Sequence, residues 1–192
     1  MNARNFAFVA ALLASGAAFA ALKAGDRAPA FTAPASLAGK PFTYSLKDAL
    51  AKGPVVVYFY PSAYTEGCNV QAHEFSTRAD QFALAGASVI GVSLDSIERL
   101  NAFSADPDYC AGKLAVASDA DGSIARSFGL RVSGAQRGAT DTRGQEIGHG
   151  FAERTTFVVR RDGSVAAAVG GVSPDVNVQR SLELVRALAG AR

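Results

Sequence analysis

A cysteine placed where a helix begins is a candidate nucleophile, and this chain has one at Cys68. It closes the segment Pro61-Ser62-Ala63-Tyr64-Thr65-Glu66-Gly67-Cys68. That segment follows residues 55–60, VVVYFY, a continuous β-branched and aromatic run that reads as a strand buried on both faces. In open α/β sheets, reactive groups collect beyond the C-terminal ends of strands, at the turn into the next helix. There, unpaired backbone amides and the positive end of the helix dipole favour an anion, and the thiolate is the reactive form of a cysteine. Ionisation alone achieves little: a few per cent of an ordinary thiol is already ionised at pH 7, so complete ionisation gains about 30-fold, or about 2 kcal/mol. A fast reaction at this sulfur therefore needs donors that hold the electrophile in line and stabilise the bond as it breaks.

The elements that must hold Cys68 follow from periodicity. Residues 21–52, rich in Ala, Pro and Gly, read as an extended arm with a hairpin. A helix is expected over 67–85, with Val70, Phe75, Phe82 and Leu84 turned inward. Residues 88–94, SVIGVSL, give a second buried strand, followed by a helix from Ser96 with Ile97, Leu100 and Phe103 on one stripe. A loop carrying Pro107 and Cys110 precedes a short strand at 114–117, then Asp119-Ala120-Asp121-Gly122 and a helix to Phe128. Residues 131–150 are polar and Gly-rich and predict a long loop, functional or mobile. Runs at 155–159 and 165–169 flank Arg161-Asp162-Gly163 as an antiparallel hairpin. Ser173-Pro174-Asp175 opens a last helix whose Val178, Leu182, Val185 and Leu188 share a face. Alternating strands and helices imply parallel pairing. The sum is an α/β chain with a thioredoxin-like fold: a mixed central sheet, parallel in its middle, with an antiparallel hairpin at one end and helices on both faces.

The first twenty residues combine Arg4, an apolar run at 6–13 and a small-residue ending, Ala18-Phe19-Ala20. They read as a signal peptide cleaved after Ala20, leaving a domain over 21–192 in the periplasm or secreted, with no stable membrane insertion after cleavage. The alternative is an uncleaved anchor, for which the apolar run is short against the roughly 20 residues of a span. The net charge of +2 comes from scattered basic residues, so no nucleic-acid partner is expected. His73 and His149 read as surface residues without a partner ligand at a usual spacing, so no metal and no cofactor is expected.

Pro61, Thr65 and Cys68 match the Pro-x-x-x-Thr-x-x-Cys signature of peroxiredoxins, the AhpC/TSA family, and the flanking FYP and GC resemble its bacterioferritin-comigratory branch. The likeness extends from about Gly25 to Ala189 through ASVIGVSLDS, SDADG and ERTTFVV. It implies that Cys68 is the peroxidatic cysteine, Thr65 the hydroxyl that hydrogen-bonds its thiolate and the peroxide, Pro61 a shield against water, and Arg154 the guanidinium that contacts thiolate and peroxide. On their own, Thr65 is equally a helix cap and Arg154 a partner for Glu153 or Asp162. The implied substrates are hydrogen peroxide and organic hydroperoxides. Attack leaves a sulfenic acid that a thiol must condense with, and the implied reductant is a thioredoxin-like protein or a small thiol. The chain would act as a monomer or a homodimer.

The chain departs from the family pattern twice. His73 stands five residues after Cys68, where members of the branch often carry the resolving cysteine. Gln71 stands where many peroxiredoxins have glutamate, which puts the network around Arg154 in question. Cys110 then has two readings: it resolves Cys68 within the chain, or it is kept for packing while external thiols do the work. In an oxidising compartment a structural disulfide between the two cysteines is a third. Among other functions of this fold, thiol-disulfide exchange would want a cysteine at 71, and copper delivery one at 72, where Ala stands. A non-enzymatic binding protein using the 131–150 loop also remains open.

Overall fold

The computed structural model describes residues 20–190, so all of the expected leader but Ala20 lies outside the described residues. In chain order the elements are β1 (Thr32–Leu37), β2 (Lys40–Ser45), α1 (Leu46–Lys52), β3 (Val55–Phe59), α2 (Glu66–Thr77), α3 (Ala79–Leu84), β4 (Ser88–Ser93), α4 (Ile97–Ala105), β5 (Ala115–Ser118), α5 (Ser123–Ser127), β6 (Thr155–Val159), β7 (Val165–Gly170) and α6 (Pro174–Gly190). One seven-stranded sheet takes the order β2-β1-β5-β4-β3-β6-β7. Its middle, β5-β4-β3, is parallel, while β6 runs antiparallel to β3 and β1 antiparallel to β5. The expected mixed sheet with helices on both faces is present. A hairpin closes each edge rather than one, because the N-terminal arm joins the sheet through β1. The Ala-rich β1 sequence, TAPASL, carries little β-branched signal to announce that pairing.

Alternation along β3 builds two cores. Val55, Val57 and Phe59 face the layer that holds Leu46, Phe128, Leu130 and Phe157. Val56, Tyr58 and Tyr60 face the other, with Phe75, Phe82, Leu100, Phe103, Val178 and Leu182. Both cysteines lie in this second layer. Tyr58 is accommodated because its neighbour on β4 is Gly91, where an added Cβ would fall 2.5 Å from the tyrosine ring.

Two helices differ from expectation. Helix α1, within the arm, is announced only by Ser45, whose Oγ accepts from the Asp48 amide at 3.3 Å as an N-cap. The helix expected over 67–85 breaks at Arg78. Thr77 donates its hydroxyl back to the Glu74 carbonyl, a bonding that weakens helices, and Ser76 turns its hydroxyl off the helix to Tyr109 O. Past the break Phe82 is buried, whereas Leu84 is 89% exposed. Val70, also expected inside, faces outward.

Candidate active site

Strand β3 hands the chain to α2 through a tightly specified turn. The Tyr60 amide still donates to Val92 O at 3.1 Å, and Pro61, which has no amide hydrogen, ends the ladder. Tyr64 takes a left-handed conformation, φ 63°, which costs a bulky residue roughly 1–2 kcal/mol. What holds it is visible: its ring packs edge-on against Phe103 at 4.9 Å and lies under the Arg143 guanidinium at 3.2 Å, and its carbonyl accepts from the Thr142 hydroxyl at 2.8 Å. Thr65 is the N-cap of α2, so Cys68 sits in the first turn of that helix, as its sequence position suggested. Its thiol is closed in, at 1% exposure. Pro61, Thr65, Gly67 and Arg154 form a half-buried rim.

Arg154 reaches the sulfur because β6 is antiparallel to β3. Thr155 pairs with Phe59, so the residue just before β6 emerges beside the turn that leaves β3. Its Nη2 donates to Cys68 Sγ at 3.3 Å, while Nη1 donates to Gly67 O at 3.4 Å and closely to Gln71 Oε1. Glu153, the alternative partner, pairs with Arg131 instead. Gly67 keeps the approach open: an added Cβ there would stand 3.1 Å from Arg154 Nη2.

Gln71 does not weaken this arrangement as the sequence suggested. Its carbonyl oxygen accepts from the guanidinium just as a carboxylate would, and its amide donates to Asn177 Oδ1 at 3.1 Å. Asn177 also receives the Thr156 hydroxyl at 2.6 Å and donates to Val169 O at 2.9 Å. Gln71, Thr156 and Asn177 are all buried, so the chain of bonds fixes the guanidinium from the protein interior.

Thr65 departs from the implied role. Its hydroxyl donates to Ser62 O at 2.9 Å, neither capping α2 nor donating to Cys68. A hydroxyl has one hydrogen to give, and the Ser62 carbonyl three residues back takes it, which leaves Thr65 Oγ able only to accept.

Cys110 follows α4 in a turn and is fully buried. Burial, with a contribution from the nearby Asp106, pushes its thiol well above the ordinary range. Both cysteines are free thiols, so the structural disulfide is not present. The Cys110 turn docks on α2 through the Ser76 hydroxyl, which donates to Tyr109 O at 2.7 Å, and through exposed His73, whose Nδ1 lies 3.0 Å from Asp108 O. Among the described residues no cluster of His, Cys, Asp and Glu suits a metal ion.

The sequence reading missed a second buried network. Asp95, just past β4, accepts from the Ser62 hydroxyl at 2.8 Å, the Ala63 amide at 2.7 Å and the Ser93 hydroxyl at 2.7 Å. Arg99 pairs with Asp95 at 2.9 Å and Asp141 at 2.8 Å, and also donates to Ala63 O at 2.8 Å. Burial opposes ionisation of Asp141, yet amide and guanidinium donors lower it to about 2. His149, expected at the surface, is instead half-buried with Nε2 2.9 Å from Asp95 Oδ1. The rule that located Cys68 could have found Asp95, since β4 is the parallel neighbour of β3 and Asp95 lies beyond its C-terminal end.

Comparison with known proteins places the chain among relatives of the same fold. The AhpC/TSA family profile matches residues 24–168. Peroxiredoxin Bcp of Escherichia coli strain K12 is 32% identical over 144 residues, 75% of this chain and 83% of that one. The crystal structure of peroxidoxin BcpB from Mycobacterium tuberculosis superposes with TM-score 0.72 at 30% identity, covering 87% of this chain and 98% of that one. The bacterioferritin comigratory protein of Xanthomonas campestris, in a structure that concerns its alkyl peroxide reduction activity, gives TM-score 0.63 at 28% identity over 81% and 91% of the two chains.

Proposed function

The chain belongs to the AhpC/TSA family and is a thiol peroxidase of the peroxiredoxin kind, and from that premise we propose that it reduces hydrogen peroxide and organic hydroperoxides through Cys68, outside the cytoplasm. The observation that carries the choice of Cys68 is the Arg154 guanidinium held 3.3 Å from its sulfur by a buried amide network. In the reaction, the Cys68 thiolate attacks one peroxide oxygen. The oxygen-oxygen bond breaks, and the departing oxygen takes a proton to leave as water or an alcohol. Cys68 is left as sulfenic acid. Arg154 stabilises the negative charge as it moves from sulfur to oxygen. Thr65 Oγ, with its own hydrogen given to Ser62, accepts from the peroxide hydroxyl and orients it. Pro61, on the half-buried rim, limits water.

The sulfenic acid then condenses with a thiol, releasing water and forming a disulfide, and a thioredoxin-like protein or a small thiol supplies the electrons that return Cys68 to the thiol. We assign the condensation to Cys110, supported by its place in the same core layer as Cys68. With both sulfurs buried, this step needs the first turn of α2 or the Cys110 turn to open. Export rests on the leader-like residues 1–20.

Protein spanning residues 21–192, supplied with dithiothreitol, is expected to consume hydrogen peroxide and cumene hydroperoxide. No consumption of either would remove the reading. Intact mass after one equivalent of peroxide is expected to show loss of two hydrogens in the wild type and gain of one oxygen in Cys110→Ser. A gain of oxygen in both would assign the condensation to external thiols.

A further inference from the structure

Both ring nitrogens of His149 face acceptors: Nδ1 lies 2.7 Å from Gly150 O, and Nε2 lies 2.9 Å from Asp95 Oδ1. A neutral imidazole has one N–H to donate; only the imidazolium has two. The proton between His149 and Asp95 belongs on the ring, because the Asp95 oxygens already accept from Ser62, Ala63 and Ser93 and face Arg99, as a carboxylate would. Of the charges around this ring, Asp95 and Asp141 are fully buried, Arg99 is 15% exposed, and Arg143 is 36% exposed on the solvent side of Asp141. Arg143 serves Asp141, so Arg99 is the one guanidinium against Asp95, and a protonated His149 gives that buried carboxylate a second cationic partner.

Asp95 also reaches the reacting sulfur through the backbone. It holds Ser62 and Ala63, Ser62 O takes the Thr65 hydroxyl, and Thr65 O takes the Cys68 amide at 3.0 Å. His149 terminates the 131–150 loop, whose Thr142 grips the Tyr64 carbonyl on the opposite side of the same turn.

Resting on the thiol-peroxidase reading above, we propose that Asp95 is a positioning residue for the Cys68 turn and that His149, as an imidazolium, is the protonated counter-cation that keeps Asp95 and the 131–150 loop in place. Loss of that proton gives up one of the two His149 bonds and loosens the turn, so the peroxidatic step weakens on the alkaline side. The direction agrees with the electrostatics: burial works against a charged ring, but the Asp95 carboxylate and the Gly150 carbonyl outweigh it and raise its proton affinity above the ordinary value. A group raised on folding contributes fully below its unfolded value, about 6.5, and its contribution is lost as pH rises through the folded value.

The test follows the single-turnover rate constant of Cys68 with hydrogen peroxide from pH 6 to 9.5, alongside NMR titration of His149 and of the Ala63 amide. In the wild type both signals are expected to titrate together, with a midpoint above 6.5, and the rate constant to fall on that limb by about tenfold, the size of one charge-assisted hydrogen bond. His149→Gln is expected to sit at the low level throughout with no such limb, and His149→Lys, which keeps a cation, to stay high across it. Asp95→Asn is expected to uncouple the Ala63 amide from His149. A His149 midpoint at or below 6.5, an Ala63 amide that does not follow it, or the same alkaline limb in all forms would overturn the proposal. If the wild type consumed no peroxide, the peroxidase reading would fall, while the two NMR titrations would still decide whether His149 governs the turn.

Discussion

Cys68 and Cys110 share one apolar layer and are equally closed to solvent, yet their surroundings differ in kind. Cys68 begins a helix and receives a guanidinium hydrogen bond. Cys110 has only burial and a nearby carboxylate, and both oppose its ionisation. Burial by itself silences a thiol; burial with a fixed cationic donor excludes water without removing the charge's support. The difference originates outside the helix, in Arg154 and the Gln71-Asn177 chain behind it.

The sharpest way to break this comparison is to exchange each sulfur for oxygen. Cys68→Ser is expected to reduce peroxide consumption to the uncatalysed background, whereas Cys110→Ser keeps the first turnover within about threefold in stopped-flow measurements, since only one sulfur has the donor. Equal losses would mean the two thiols are not distinguished by their settings. Next in size, Arg154→Ala is expected to lower the second-order rate constant with hydrogen peroxide about a hundred- to a thousandfold, the loss typical of one preorganised donor. Arg154→Lys recovers part of it, because one ammonium cannot serve Cys68, Gly67 and Gln71 together.

For Cys110 the expected penalty lies in stability. Cys110→Ser buries a hydroxyl in an apolar layer and is expected to cost about 2 kcal/mol in urea unfolding. The thiol's raised proton affinity has its own signature. Its contribution is intact below the unfolded value near 8.5 and fades above it, so at pH 9.5 the wild type is expected to have lost about 1.4 kcal/mol that Cys110→Ala does not lose. The smallest effect is expected at Gln71. Gln71→Glu preserves the acceptor for Arg154 and should leave the rate constant within about threefold, whereas Gln71→Leu, which cannot accept, should lower it about tenfold.

What the sequence disclosed was what lies in local pattern. VVVYFY, SVIGVSL and the 155–169 hairpin declare their strands by composition, and Cys68 declares its position by following one of them. Strand β1 and helix α1 were quiet, the first for want of β-branched residues, the second because seven residues give little periodicity. The site was legible in its cysteine and arginine but not in its wiring. Asp95 and His149 lie 54 positions apart, and Gln71 and Asn177 106 apart, and no spacing rule joins polar residues over such distances. Gln71 was read as a departure because residue type was weighed, when the acceptor oxygen is what Arg154 uses.

The sheet order has a consequence for the life of the chain before it folds. The turn after β3 meets the start of β6 and the end of β4 only when all three strands are aligned, and Arg154 is 86 residues from the sulfur it serves. An incompletely folded polypeptide therefore carries two ordinary thiols, no more dangerous to its neighbours than any others. The weapon exists only while β6 is docked on β3, and any event that peels β6 away disarms it again.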